Sequence, residues 1–325
     1  MMTLETNYLG LNLKSPLIVS SSGLTDSTEK IKMLEELGAG AVVLKSLFEE
    51  QISYEAGMLV ENGHYPDAHD YITSYSRNHS VEEYLKLIEE ARKAVKIPVI
   101  ASINCMSSSE WISFARDIEQ AGADALELNV FFVASNKDRS SEHYENLYNE
   151  LIIKVRQVTH LPLAVKIGHQ FTNLAGMVHN LYVRGARGVV LFNRFYEPDI
   201  DIEKLTPVTS SVFSNPDDIR QSLRWVGIIS DKVENIDIAA STGIHDGKAV
   251  IKQLLAGAKA VQLCSVLYKK GAEHLRVVTR EVEDWMKRKG YQSPDEFRGM
   301  LNYKKIPDPS VYERSQFMKY FSNYH

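Results

Sequence analysis

Eight apolar runs along this 325-residue chain each end in polar or very small residues. The endings are Ser21-Ser22-Gly23, Lys45-Ser46, Asn104, Asn129, Lys166, Asn193, Thr242-Gly243 and Cys264-Ser265. Brought together, these residues make a cationic bowl rich in hydrogen-bonding groups. Lys166 lies in PLAVKIG, among apolar neighbours. A buried ammonium there requires an anion or acceptor beside it; the alternative is a stem that carries the charge out to water. Such an amine can stabilise developing negative charge, or attack a carbonyl to form a Schiff base. Small residues at 242–243 and 264–265 let backbone N–H groups approach a phosphate, although a plain tight turn favours the same residues.

Whether these endings meet depends on the elements that carry them. The runs are PLIVSS (16–21), AVVLKS (41–46), PVIASIN (98–104), ALELNV (125–130), PLAVKIG (162–168), GVVLFN (188–193), IDIAAS (236–241) and AVQLCS (260–265). They lack polar–apolar alternation, which fits strands buried on both faces of a parallel sheet. Amphipathic stretches of helical length separate them. In SVEEYLKLIEEARKAV, Ser80 precedes Glu83 by a capping-box spacing, which predicts a helix start there. Strict alternation predicts βαβ crossovers and an α/β fold, a (β/α)8 TIM barrel whose strand C-termini converge on one mouth. An open doubly wound sheet satisfies the same alternation. Segments 47–80, 130–143 and 194–216 are long for connections, and all follow strand C-termini. With no linker-like composition, one barrel over 1–302 is expected. The tail 303–325 carries Tyr303, Tyr312, Phe317, Tyr320, Phe321 and Tyr324, and is expected to dock on the barrel or a partner subunit.

Composition narrows the function. Hydrophobic residues make up 44% and charged residues 24%, with net charge −5, so neither nucleic acid nor an anionic membrane is an expected partner. No run approaches the ~18 apolar residues of a membrane span. Cys105 and Cys264 are the only cysteines. They form no disulfide framework or metal cluster, which suits a cytoplasmic protein. His64, Asp67, His69 and Asp70 in HYPDAHD match no metal-ligand spacing, so no metal is expected.

Together, SSG, GAGAVVLKS, SIN, ELN, VKIG, LFN and STGIHDGKAVIKQLLAGAKAVQLCSVLY resemble the dihydroorotate dehydrogenase family, and its soluble class 1 enzymes most. The resemblance implies an FMN-dependent oxidoreductase acting on CH–CH groups in pyrimidine metabolism, as a homodimer. It implies that hydride passes between flavin N5 and a C–C bond of dihydroorotate or a related small compound. Ser21, Ser22 and Gly23 would lie against the flavin ring, and Lys45 and Ser46 would contact the ring and ribityl chain. Asn104 and Asn129 would bond the ring or the substrate beside it, and Asn193 would face the substrate. Lys166 would sit near N1 and the C2 carbonyl, where an ammonium stabilises the charge gained on reduction. Thr242, Gly243, Cys264 and Ser265 would hold the phosphate, although the family often has Gly-Gly and Gly-Thr there.

One departure bears on catalysis. The family's fourth strand ends Asn-x-x-Cys-Pro-Asn, or Ser for Cys, and the Cys or Ser removes the substrate proton. This chain reads Asn129-Val130-Phe131-Phe132-Val133-Ala134. Phe132 stands at the base position and cannot accept a proton, and Ala134 replaces a substrate-gripping asparagine. Positioned acid–base catalysis contributes roughly 10²–10⁴ in rate. Weak replacements are Cys105, Ser135, Asp138, Ser140 and Ser141, with His169 near the mouth. Two other functions stay open: a flavin-binding electron-relay or non-catalytic subunit, and a Schiff-base aldolase or lyase using Lys166 or Lys45.

Overall fold

The computed structural model describes residues 2–48, 69–104 and 111–315. A hairpin of β1 (Thr6–Tyr8) and β2 (Leu11–Leu13) opens the chain. The barrel strands are β3 (Leu17–Val19), β4 (Ala41–Val43), β6 (Val99–Asn104), β7 (Ala125–Asn129), β8 (Leu163–Ile167), β9 (Gly188–Leu191), β12 (Asp237–Ser241) and β13 (Ala260–Leu263). All eight are parallel, and β4 pairs with β6 as well as β3, so the sheet closes on itself. That closure settles the choice between barrel and open sheet. A short β5 (Leu47–Phe48) extends the sheet along β6.

Among the described residues, eight helices of three turns or more, or of near that length, surround the barrel or cap its rim. They are α1 (Thr28–Glu36), α2 (His69–Ala94), α3 (Trp111–Gln120), α4 (Ser141–Arg156), α5 (Leu174–Val183), α6 (Ile219–Lys232), α7 (Gly247–Ala256) and α9 (His274–Lys289), with a short α8 (Ser265–Lys270) before the last. Several caps follow the sequence directly: Ser27, Ser140, Asn173 and Asp246 each accept a first-turn N–H. The start predicted at Ser80 is corrected. Ser80 lies inside the 26-residue α2, because the helix extends N-terminal to the capping-box pattern. The stretch 194–216 is not a plain loop either. It holds an antiparallel hairpin, β10 (Pro198–Asp201) with β11 (Thr206–Thr209).

The barrel interior is layered. Its lower part is apolar, with Ile18, Val43, Ile100, Ala125, Ala164, Ala239 and Ala260 packed on Tyr8, Leu9 and Leu13 of the first hairpin. Successive inward residues on a strand are two apart. Two residues above these, the same strands carry Ser20, Ser102, Glu127, Lys166, Ser241 and Gln262, all buried. The next positions open on the mouth with Asn104, Asn129 and Cys264. At the other end of the chain, Tyr303 donates its N–H to the Gly227 carbonyl (2.9 Å) and Tyr312 its hydroxyl to Leu301 O (2.5 Å). The Lys232 ammonium lies 4.1 Å from the Tyr303 ring centre. A final short α10 (Ser310–Glu313) follows on α6.

Candidate active site

Lys166 is only 6% exposed, and its partners are in the polar layer. Its ammonium donates to Gln262 Oε1 (2.9 Å) and Ser20 Oγ (3.1 Å). Gln262 Nε2 donates to Glu127 Oε2 (2.6 Å), and Glu127 Oε1 stands 3.8 Å from the ammonium with no hydrogen-bond partner. The anion and acceptors that a buried lysine requires are therefore Glu127, Gln262 and Ser20. The sequence contained one usable signal for them: each lies an even number of residues from a strand-end residue, on the same inward face.

Above this layer, Asn193 Nδ2 donates to Asn129 Oδ1 (2.9 Å), so two of the predicted asparagines meet across β7 and β9. Asn104 lies beside Asn129 in register, and its buried Oδ1 has no partner. A cavity of about 150 Å³ opens over Lys166, lined by Ser20, Ser21, Asn193, Gly243, Cys264 and Ser265 among others. A second, of about 250 Å³, shares Asn193 and Thr242 with it and is lined by His169, Phe192 and Phe195 on its far side. Burial lowers the His169 pKa, with Glu197 opposing. Arg194 borders both cavities and is held by Asp218 (3.1 Å) and the carbonyls of Ser211 and Val212.

The turn after β12 is shaped for close approach. Thr242 has φ 71° and Gly243 φ 81°. A β-branched residue in the left-handed region is strained; the Thr242 hydroxyl donates to Phe192 O (3.0 Å) and helps hold it. Ser265 Oγ accepts the Ser214 N–H (3.0 Å), and the Ser214 hydroxyl meets His245 Nε2 (3.0 Å). Lys269 donates to Ser214 O (2.8 Å). Residues 214, 245 and 269 thus brace the cup formed by 242–243 and 264–265, and sequence reasoning had not singled them out. The Cys264 thiol is pushed up by burial, against a hydrogen bond from Ser22 and the Lys166 charge.

Other candidates lie elsewhere. Lys45 is exposed and, with Ser46, lines a cleft of about 530 Å³ between α1 and α2. Ser46 is buried and links the Ser21 and Ser102 hydroxyls (2.9 and 2.7 Å). Gly23 and Ser22 form the turn after β3, where Ser22 Oγ donates to Ser20 O. Phe132 does not wall the cavity over Lys166. Its ring meets Tyr148 of α4 edge-on at 5.2 Å, and burial, against a hydrogen bond from the Phe132 backbone, pushes the Tyr148 phenol up to about 12. Phe131 instead packs on Phe195 at 4.0 Å, closing over Gly168. Ser135 is exposed in the loop, Asp138 pairs with Lys137, and Ser140 caps α4 ahead of Ser141. Cys105 and His64 and Asp67 of HYPDAHD lie outside the described residues. Among the described residues no cluster could hold a metal ion.

The dihydroorotate dehydrogenase family profile matches residues 3–286. The chain belongs to the dihydroorotate dehydrogenase family. Similar proteins include the dihydroorotate dehydrogenase B (NAD(+)) catalytic subunits of Thermoplasma volcanium and Pyrococcus abyssi. The first is 28% identical over 313 residues, covering 92% of this chain and 99% of the relative. The second is 28% identical over 305 residues, covering 91% and 98%. That of Methanocaldococcus jannaschii is 25% identical over 298 residues, covering 87% and 94%. As a member of this family the chain is a flavin-family oxidoreductase of the CH–CH class with a TIM-barrel fold. Among the described residues no helix is long and apolar enough to cross a membrane.

Proposed function

We propose that this dihydroorotate dehydrogenase-family barrel binds FMN over Lys166 and oxidises or reduces a C–C bond of a small compound. The observation that carries the reading is the ammonium buried one layer beneath a mouth lined by convergent asparagines. The residues present fit the group. An ammonium has three N–H donors and Lys166 uses two within the protein. Asn104 Oδ1 is a buried acceptor still without a partner. These suit a ring whose edge carries both carbonyls and an N–H. Ser21, Ser22, Gly23, Ser46, Asn104, Asn129 and Lys166 would hold the ring. Thr242, Gly243, Cys264 and Ser265 would hold the phosphate, with Ser214 behind them. When bound, FMN supplies an acceptor for two electrons at N5. Lys45, beside Ser46 and exposed to solvent, belongs to the same set.

Dihydroorotate is the reference substrate, and Asn129 and Asn193 are its hydrogen-bonding contacts. With Phe132 packed on α4 and Ala134 exposed, the usual base and one usual grip are missing. The substrate is received in the cavity that Asn193 shares with His169, Phe192 and Phe195. The protein acts in the cytoplasm as a homodimer. The β10–β11 hairpin, with Ile200, Ile202 and Leu205 all more than 60% exposed, offers the apolar surface for that contact.

The test is spectroscopic. Purified protein, incubated with FMN and desalted, should retain a flavin absorption band that dithionite bleaches. Anaerobic dihydroorotate should bleach it more slowly, by roughly 10²–10⁴, than an enzyme with a positioned base. Protein that stays colourless after FMN would overturn the reading. Flavin that no dihydropyrimidine reduces would favour a relay subunit, and borohydride trapping of a carbonyl compound on Lys166 would favour the Schiff-base alternative.

A further inference from the structure

Among the described residues, Glu127 and Lys166 are the only buried carboxylate and the only buried ammonium. A pair in this position is an expensive way to fill a barrel. An apolar layer of the same volume is commonly as stable or more so, and the layer directly below is built that way, from Ala125, Ala164 and Ala260. The pair is also not an ordinary salt bridge. Glu127 Oε1 is fully buried, 3.8 Å from the ammonium and without any hydrogen bond. Its connection to Lys166 runs through Gln262, whose Oε1 accepts from Lys166 and Ser20 while its Nε2 donates to Glu127 Oε2. That amide can face only one way: turned over, its NH2 would point at the ammonium and its carbonyl at the carboxylate. Glu127 therefore fixes Gln262, and Gln262 fixes the Lys166 head group, leaving the remaining N–H of Lys166 for the mouth.

We propose that Glu127 is a positioning residue that sets the charge felt at the mouth, and so lowers the reduction potential of the bound flavin. The inference rests on the FMN reading above and deepens it. An isolated ammonium under the ring would favour the reduced, negatively charged flavin strongly. A carboxylate in the same polar layer, 3.8 Å from that ammonium in a water-poor interior, subtracts from that field. The barrel thus carries a buried ion pair beneath the mouth in place of a bare positive charge. Gln262, bonded to both, keeps the two charges at a fixed separation.

The experiment compares wild-type protein and Glu127→Gln, both loaded with FMN, by anaerobic titration against a reference dye. At a fixed potential the ratio of reduced to oxidised flavin should rise about tenfold or more in the variant, an upward shift of about 30 mV for a two-electron couple. A ratio unchanged within twofold, or lowered, overturns the inference. Should Glu127→Gln lose its fold or its flavin, Glu127→Asp replaces it. That variant draws the carboxylate back by one methylene and detaches it from Gln262, and a rise of at least threefold is expected. An unchanged ratio there overturns the inference equally. Failure of the wild-type protein itself to take up FMN would count against the cofactor reading, and is seen before any variant is compared.

Discussion

Replacing Lys166 by methionine tests the polar layer without any cofactor. Methionine nearly matches the lysine stem in volume, so the packing survives while the charge goes. The loss has three parts: the hydrogen bonds to Ser20 and Gln262, and the charge opposite Glu127. Lys166 and Glu127 are 7% and 0% exposed as side chains, so solvent screens little of this. Removing one partner of such a buried pair costs about 3–5 kcal/mol, chiefly because the remaining charge has nothing to face. For a chain of this size each kcal/mol moves the melting temperature by about 2 °C, giving a drop of about 6–10 °C. The double variant Glu127→Gln with Lys166→Met removes both charges, and should recover at least half of that drop, since contacting residues are not additive. Thermal unfolding followed by circular dichroism at neutral pH, with no flavin added, reads wild type, both single variants and the double variant. The reasoning fails if Lys166→Met melts within 2 °C of wild type, or if the double variant falls by the sum of the two single losses.

Gly243→Ala should weaken FMN binding more than tenfold in a fluorescence titration. Its Cβ would clash with the Ile219 backbone nitrogen, and at φ 81° the new side chain is also strained. Phe132→Ser should cost about 2 kcal/mol in urea unfolding, through the lost burial and the edge-on contact with Tyr148. It should leave the rate of flavin bleaching by dihydroorotate within threefold of wild type, because position 132 faces α4; a hundredfold gain would contradict the described side-chain direction. Burial, with Lys269 and Lys270 nearby, lowers the pKa of His245 below its ordinary 6.5, against Asp218 and Asp246. The unfolded chain therefore takes up this proton first. The stabilising contribution is complete above pH 6.5 and is lost as pH falls through the lower folded value. Urea midpoints measured from pH 7.5 to 5 should fall, and His245→Asn should flatten the slope.

Much of this protein can be read from the order of its residues. Runs such as PLAVKIG and ALELNV, apolar on both faces and separated by helical lengths, leave few options besides a parallel sheet. Closing that sheet brings the strand ends to one mouth, which is why Asn129 and Asn193, 64 positions apart, share a hydrogen bond. The same logic required an acceptor for Lys166 but could not say which. The choice of Glu127 and Gln262 depends on strand register and on which face of each strand turns inward. Lys45 followed the same strand-end rule, yet its exposed side chain lines the cleft between α1 and α2. Phe132 is the reverse case. Its type is fixed by sequence and excludes proton transfer, but its packing on Tyr148 depends on where α4 crosses the rim. A capping pattern at Ser80 was overridden as a helix start because the helix already runs through it from residue 69. The linear chain thus decides periodicity, and with it the barrel and the level at which polar groups occur. Which of those groups face one another is decided only when the strands close, since contacts between distant strands depend on register and twist that no local pattern encodes.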